Sequence, residues 1–468
     1  MKLSGRLDKL AKLKKPADLG SGPVLSTLVL LALPSIAMMI MNTLFNLVDT
    51  VFISWLGEKY LVSISYTFPV QIGVFAMLEG VGNGMTALVG RRLGEGNLAK
   101  AQETATAGLS YAYLLILPCL PFLFPYTSDV FFRALGASDP FVLRQAWLYN
   151  MWMPVMFVLI SFSYVSNSVF RCQGDTITPL VYFIIANGVN LVLDPIFIFP
   201  FGWGIAGAAA ATCVGRLCGT LYLVSKLREK SRIALPFKPR VSLRQFPCWV
   251  RITRIGFPVT LSTASVALGL GSVNKILGGT FGQQAVAAWM VGIRVEDLAF
   301  NTLIGINNAL VPFLAFNYGQ RDAVRMKSGV RAAFIISAAV TGTLGVIVGV
   351  FPFPLISMFR PTEGIAKIAA QVIRISLIGY PLIIYSIIYN SLFIATGHSV
   401  YGLAAQVFRS VVLRVPAAKL LSLFVPLKFI WWFQPISYLG AALMTAFFGA
   451  RLLKKIRANL EGRSLTSA

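Results

Sequence analysis

The sequence predicts an all-α polytopic membrane protein: twelve transmembrane helices in two six-helix lobes, related by a pseudo-two-fold axis along the membrane normal. Three observations predict it. Of the 468 residues 56% are apolar and only 12% are charged, whereas an ordinary soluble domain carries about 25% charged residues. Long apolar runs recur along the whole chain, and the second half of the chain repeats the first.

A helix that crosses a bilayer needs about 20 mostly apolar residues. Runs of that kind, cut by charges, Pro and Gly, fall near 26–55, 61–89, 104–126, 144–170, 177–200, 204–226, 250–277, 284–314, 329–352, 367–396, 400–425 and 433–453. The first follows Lys9, Lys12, Lys14 and Lys15, as a signal peptide would. Its apolar run is too long for an h-region and no small-residue cleavage site follows, so it reads as a retained helix.

The chain holds 41 Lys+Arg against 17 Asp+Glu, a formal charge of +24. In a soluble protein that balance would suggest nucleic acid. With both termini cytoplasmic, the inside connections carry 28 of these basic residues and the outside ones 7. This is the positive-inside pattern, and it sets the orientation in a cell inner membrane. The basic residues are spread over loops rather than gathered on one domain, so no nucleic-acid partner is expected. The chain then divides into a basic cytoplasmic segment 1–25, an N-lobe 26–226, a cytoplasmic linker 227–249, a C-lobe 250–453 and a basic tail 454–468.

The repeat is visible in short motifs. GVGNGMTALVGRRLGEGN at 80–97 aligns with GINNALVPFLAFNYGQRD at 305–322, YVSNSVFRCQG at 164–174 with IIYNSLFIATG at 387–397, and GAAAAT at 207–212 with GAALMT at 440–445. Each half has an even number of helices, so both enter the membrane from the same side. Parallel repeats of this kind are common in secondary transporters.

Five cysteines form no CxxC motif, and the only histidine is His398. Zinc, an iron–sulfur cluster and a disulfide scaffold are therefore not expected, and the cysteines read as small packed hydrophobes. A membrane enzyme acting on lipid-linked substrates would need clustered acids, a His or a nucleophile at the interface. The chain has no DxxD or HxxE motif, so no enzymatic activity and no cofactor beyond a coupling ion are expected. A channel fits less well than a carrier, because the notable acids lie in one half only.

Carboxylates inside a membrane are costly and therefore mark function. Asp49 lies late in the first span and Asp194 late in the fifth, so both should sit at similar depth in the outer half. Asn42, Asn46 and Asp49 share one helix face, as do Asn187, Asn190 and Asp194. Two such stripes can hold a proton, or can present hard oxygen ligands to sodium. Glu79 reads as structural or salt-bridged, and Glu296 and Asp297 as local partners of Arg294 or another cation of the second half. By the repeat, Asp49 maps to Asn274 and Asp194 to the neighbourhood of Val415–Ala417, where no acid stands. Aromatics and Met, including Met38, Met41, Phe45, Tyr385 and Tyr389, are candidates to line a cavity for bulky amphipathic cations.

The motifs NLVDTVFISWLG at 46–57, GRRLGEGN at 90–97, NLVLDPIFIF at 190–199, GIAGAAAAT at 204–212 and FNYGQRD at 316–322 together resemble the multidrug and toxic compound extrusion (MATE) family, over nearly the whole chain. The likeness is greatest to its archaeal and DinF-like branch. It implies a cation site, for H+ or Na+, formed by Asp49, Asn190, Asp194 and Thr212, with Tyr149 and Asn167 lining the same cavity, where Asn187, Asn46, Met38 and Phe45 are expected from the residues themselves. It also implies a conformational hinge at Pro34. The NorM-like branch carries acids in spans seven and ten; those spans have none here, which concentrates the expectation on the first lobe. The implied function is cation-coupled antiport of amphipathic, often cationic compounds by a monomer in contact with membrane lipid. The alternative is a lipid-linked oligosaccharide or lipid flippase of the same superfamily.

Overall fold

The computed structural model describes residues 16–239, 241–359 and 361–464. The basic run Lys9–Lys15 lies outside them. All regular structure among the described residues is helical. The first half holds α1 (Val24–Ser54), α2 (Glu58–Gly94), α3 (Leu98–Leu114), α4 (Pro125–Ala134), α5 (Pro140–Asn150), α6 (Met153–Cys172), α7 (Ile177–Ile198) and α8 (Gly204–Lys230). The second holds α9 (Phe246–Phe281), α10 (Gln283–Gln320), α11 (Ala323–Val350), α12 (Pro352–Ser357), α13 (Glu363–Ile378), α14 (Tyr380–Ala395), α15 (Ser399–Val407), α16 (Arg414–Phe424), α17 (Leu427–Ile430) and α18 (Phe433–Ser464).

Ten helical segments among the described residues are long and apolar enough to cross a membrane, and α13 with α14, joined at a bend of 56°, count as an eleventh when taken together. The chain is a multi-pass membrane protein. The twelfth span, expected over 400–425, is helical from Ser399 to Phe424 but passes through a π-turn at Phe408–Leu413. It also carries Arg409, Arg414 and Lys419, which set it apart from the apolar ten. Large apolar side chains stay exposed along the spans, among them Leu33, Phe68, Val192, Leu268, Val346 and Leu443, as lipid-facing surfaces require.

Prolines shape the helices in a repeated way. Pro154 stands at the start of α6, just after the α5 break, and Pro381 at the start of α14, just after the α13 break. A proline cannot donate to the preceding turn, so the ladder is interrupted there. In the first half Pro118 and Pro121 turn the stretch after α3 into a 3-10 segment, Leu117–Leu123.

The repeat also extends to turns. Gly96 has φ 73° and its counterpart Arg321 has φ 63°, the one non-glycine residue with positive φ among those described. Each is followed by a capping side chain. Asn97 accepts a hydrogen bond from the amide of Lys100 at 3.0 Å, and Asp322 accepts one from Arg325 at 2.8 Å. Gly174 (φ 80°) and Gly397 (φ 81°) form a second matched pair.

The chain clusters into two compact units. One holds Met1–Ala17 and Ile40–Phe257, the other Asp18–Met39 and Pro258–Ala468. The division departs from the lobes expected from sequence at two places. The first half of α1 belongs to the second unit, and the start of α9 belongs to the first. Within the second unit, Arg325 donates to the carbonyls of Leu19, Ser21 and Gly22 at 3.1, 2.6 and 2.8 Å, which anchors the segment ahead of α1. Within that same unit Gly305 lies against the backbone of Ile36, where an added Cβ would come within 2.7 Å.

Candidate functional site

The site is built on the α7–α8 hairpin of the first unit. Small residues let the two helices close on each other, as small-residue faces do in membranes. A Cβ on Gly207 would meet the Phe197 backbone at 2.7 Å, and one on Gly215 would collide with the carbonyl of Ala186. This approach brings Thr212 of α8 to the polar stripe of α7. The Asn190 amide donates to Asp194 Oδ1 at 2.8 Å and to the Thr212 hydroxyl oxygen at 3.2 Å. The Thr212 hydroxyl in turn donates to the Ala208 carbonyl at 2.9 Å, leaving its lone pairs for Asn190. Asp194 has no exposed surface.

Asp49 comes in from α1. Its carboxyl group and that of Asp194 lie within hydrogen-bonding reach of each other. Asp49 Oδ1 and Asp194 Oδ2 are buried and receive no donor from the protein. Two carboxyl groups in contact are compatible only if a proton or a cation is shared between them. Tyr149 of α5, buried, is within electrostatic reach of both acids and close to the side chain of Gln71 on α2. Gln71 also donates to Thr67 Oγ1 at 2.9 Å. Gln71 is not among the residues expected from sequence. Its signal was a polar residue inside an apolar span with Thr67 one turn earlier on the same face. Asn150, next to Tyr149, is likewise outside that expectation; it is fully buried with both amide atoms unpartnered.

The other expected residues divide. Asn167 of α6 is in the same unit, with a buried Oδ1 that has no partner. Asn187 turns back on its own helix, donating to the Phe183 carbonyl at 2.8 Å. The Phe45 ring lies 6.3 Å from that of Phe183. Met38 and Pro34 belong to the second unit, and the acid pair to the first. The side chain of Asn46 lies outside the described residues. Tyr385 and Tyr389 pack on Phe334, at ring distances of 4.6 and 5.9 Å.

Glu79 shares an electrostatic environment with Tyr164, Arg216 and Arg171 in the first unit. Among the described residues Glu296 forms no ion pair with its neighbour Arg294. It is buried, accepts a hydrogen bond from the Tyr438 hydroxyl at 3.0 Å and faces Arg414 and Arg409. Asp297 feels Arg294, yet the two form no ion pair among those described.

Among the described residues no three His, Cys, Asp or Glu side chains converge as a metal cluster would require. What the site offers is two carboxyl groups, an amide and a hydroxyl. These are oxygen donors of the kind a hard cation prefers, and the same carboxyls can carry a proton.

Comparison with known proteins adds three findings. The family model MatE matches residues 34–196 and 258–420, one stretch in each half of the chain. The chain is 27% identical over 451 residues to a protein named FAD transporter from Shewanella oneidensis, covering 94% of this chain and 97% of that one. It is 23% identical over 393 residues to the multidrug export protein MepA of Staphylococcus aureus, covering 80% and 82%. Among solved structures, an outward-facing multidrug resistance MATE transporter of the MOP superfamily aligns with a TM-score of 0.87 at 23% identity, over 95% of this chain and 99% of that one. A MOP superfamily transporter from Pyrococcus furiosus aligns with a TM-score of 0.86 over the same shares. At that identity the structural likeness speaks for the fold.

Proposed function

The chain belongs to the MatE family of membrane transporters, and from that premise we propose that it is a secondary active multidrug efflux transporter driven by cation antiport. The observation that carries this reading is the buried Asp194 carboxyl, held by Asn190 and Thr212, with Asp49 close enough for the two acids to influence each other. A buried acid pair can exist with a shared proton or a bound Na+, and in either case the pair binds one cation and releases it.

The cation enters from outside and neutralises the acid pair. The change in charge repacks α1, with Pro34 as the bending point, and lowers affinity for the compound being exported. After the compound leaves, the protein turns inward, gives up the cation and reloads. Coupling of this kind requires each ligand to prefer a different conformational state. The substrates are amphipathic compounds, many of them cationic. The relatives named as exporters of small molecules support this reading over lipid flipping, and the one named for FAD adds flavin nucleotides to the compounds worth testing. The distribution of Lys and Arg supports an inner-membrane protein with both termini cytoplasmic.

Ethidium transport in everted vesicles, with proton and sodium gradients imposed separately, tests the proposal. Gradient-driven efflux that is lost in Asp49→Asn and Asp194→Asn is the expected result. Full efflux in both variants would remove the acid pair from the mechanism, and efflux indifferent to either gradient would remove antiport itself.

A further inference from the structure

The second unit has a buried polar centre of its own, and its charge is opposite in character. The offset that aligns residues 80–97 with 305–322 places Glu296 opposite Gln71, and Val415 stands in the neighbourhood that corresponds to Asp194. The span that carries Asp194 in the first unit corresponds to the one that carries Arg409 and Arg414 in the second. Both arginines are buried, at 5% exposure for Arg409 and 3% for Arg414. The π-turn Phe408–Leu413 carries Arg409 and ends directly before Arg414. Turns of this kind inside a helix often accompany functional sites.

The hydrogen bonds of the centre are mostly spent on fixing Glu296. Tyr438 donates to its carboxylate at 3.0 Å, and Tyr380 donates to its backbone carbonyl at 3.1 Å. Gln434 donates to the Tyr438 hydroxyl at 3.2 Å, and the Arg409 guanidinium lies 5.5 Å from the centre of the Tyr438 ring. Neither arginine forms an ion pair among those described. Arg414 Nε and Gln434 Oε1 are buried without partners. Of the remaining nearby charges, Asp297 acts on Glu296 but answers to Arg294, which is exposed. The centre thus holds two buried guanidinium groups facing one carboxylate. A buried charge without full compensation is costly, and guanidinium is the side chain best shaped to receive two oxygens of one oxyanion.

We propose that Arg409 and Arg414 form a binding site for an oxyanion, the phosphate or carboxylate group of a transported compound. This deepens the efflux reading and rests on it: besides cations, the protein accepts substrates with an anionic group on an aromatic body, and that group docks in the second unit. Because both arginines are nearly buried, the ligand reaches them when the transporter opens during its cycle.

The test uses two flavins that differ only in a phosphate, FMN and riboflavin, with the purified full-length protein and binding read by flavin fluorescence. FMN is expected to bind at least about tenfold more tightly, a factor worth ~1.4 kcal/mol. Arg409→Gln and Arg414→Gln are expected to erase that preference, and Arg414→Lys to restore part of it. Thermal unfolding in detergent reports whether each variant is folded. As a measurement that needs no variant, inorganic phosphate should displace FMN from the wild-type protein and leave riboflavin bound. Equal affinities for the two flavins, a preference that survives in both Gln variants, or phosphate that fails to displace FMN would each overturn the site. Ethidium efflux with no flavin preference leaves the efflux reading standing, whereas absence of gradient-driven efflux for every probe removes that reading first.

Discussion

Asn190 Nδ2 stands 2.8 Å from Asp194 Oδ1, one turn earlier on the same helix. The amide therefore fixes the carboxyl of the buried acid rather than competing with it. A hydrogen bond to a charged group is worth about 1.5–3 kcal/mol. Asn190→Ala is expected to lower gradient-driven efflux by about tenfold or more, and Asp194→Asn to abolish it. Initial rates of ethidium efflux in vesicles check both; equal losses would mean that Asn190 does more than orient its neighbour.

Thr212 reaches the same amide from α8 at 3.2 Å. Thr212→Val keeps the shape and removes the hydroxyl, leaving Asn190 with one partner fewer, whereas Thr212→Ser keeps the oxygen. The expected pattern is a several-fold loss in efflux for the valine variant, of the order of ~1 kcal/mol, and near-complete retention for the serine variant. Loss of similar size in both would point to packing of the methyl group instead.

Gly215 and Gly188 separate close packing from helix composition. A Cβ on Gly215 collides with the Ala186 carbonyl, while one on Gly188 meets nothing within 4 Å. Gly215→Ala should push α8 from α7 and destabilise the protein by about 1–3 kcal/mol. Gly188→Ala should leave stability unchanged or slightly raised. Thermal unfolding in detergent distinguishes them.

The paired turns give a backbone prediction. Gly96 and Arg321 both adopt the left-handed conformation, which costs a side-chain-bearing residue roughly 1–2 kcal/mol. Gly96→Ala should destabilise by about that amount. Arg321→Gly should be close to neutral, because relief of strain is offset by the greater freedom of glycine in the unfolded chain. A large loss in Arg321→Gly would show that its side chain matters more than its backbone.

The segment ahead of α1 supplies a pH dependence outside the membrane. The Ser21 hydroxyl, together with the Gly20 and Ser21 amides, holds the Asp18 carboxyl below its ordinary range. A carboxyl whose pKa is lower in the folded state stabilises that state above its unfolded pKa, and the contribution fades as pH falls through the folded value. Protection of the Gly20 and Ser21 amides from hydrogen exchange, corrected for intrinsic rates, should therefore drop as the pH falls below the ordinary aspartate value of about 3.9. In Asp18→Asn it should stay flat over that range.

Much of this architecture was legible in the residues. Apolar runs located the spanning helices because a bilayer imposes both length and composition. The polar stripes ending in Asp49 and Asp194 pointed to a pairing, and in the fold the two acids influence each other. Gln71 and Asn150 were not legible, since an uncharged amide gains meaning only when a neighbouring helix presents Tyr149 or an orphaned polar atom beside it. Arg409 and Arg414 were visible only as basic residues within a span. The π-turn that sets their spacing has no strong signal in sequence, and their orientation toward Glu296 depends on how three separate helices pack.

The allocation of α1, with residues up to Met39 in one compact unit and those from Ile40 in the other, bears on how this chain could be cut or assembled. A protein divided at the linker would give neither piece a complete fold. The front piece would carry a hydrophobic half-helix whose partners are encoded in the back piece, and it would lack the opening residues of α9. Separately expressed halves should therefore accumulate only when made together, and a split reporter is better interrupted in an exposed loop within one unit. Duplication of an ancestral half-sized protein would have met the same requirement, because two copies exchanging their leading segments are already a dimer before any fusion joins them.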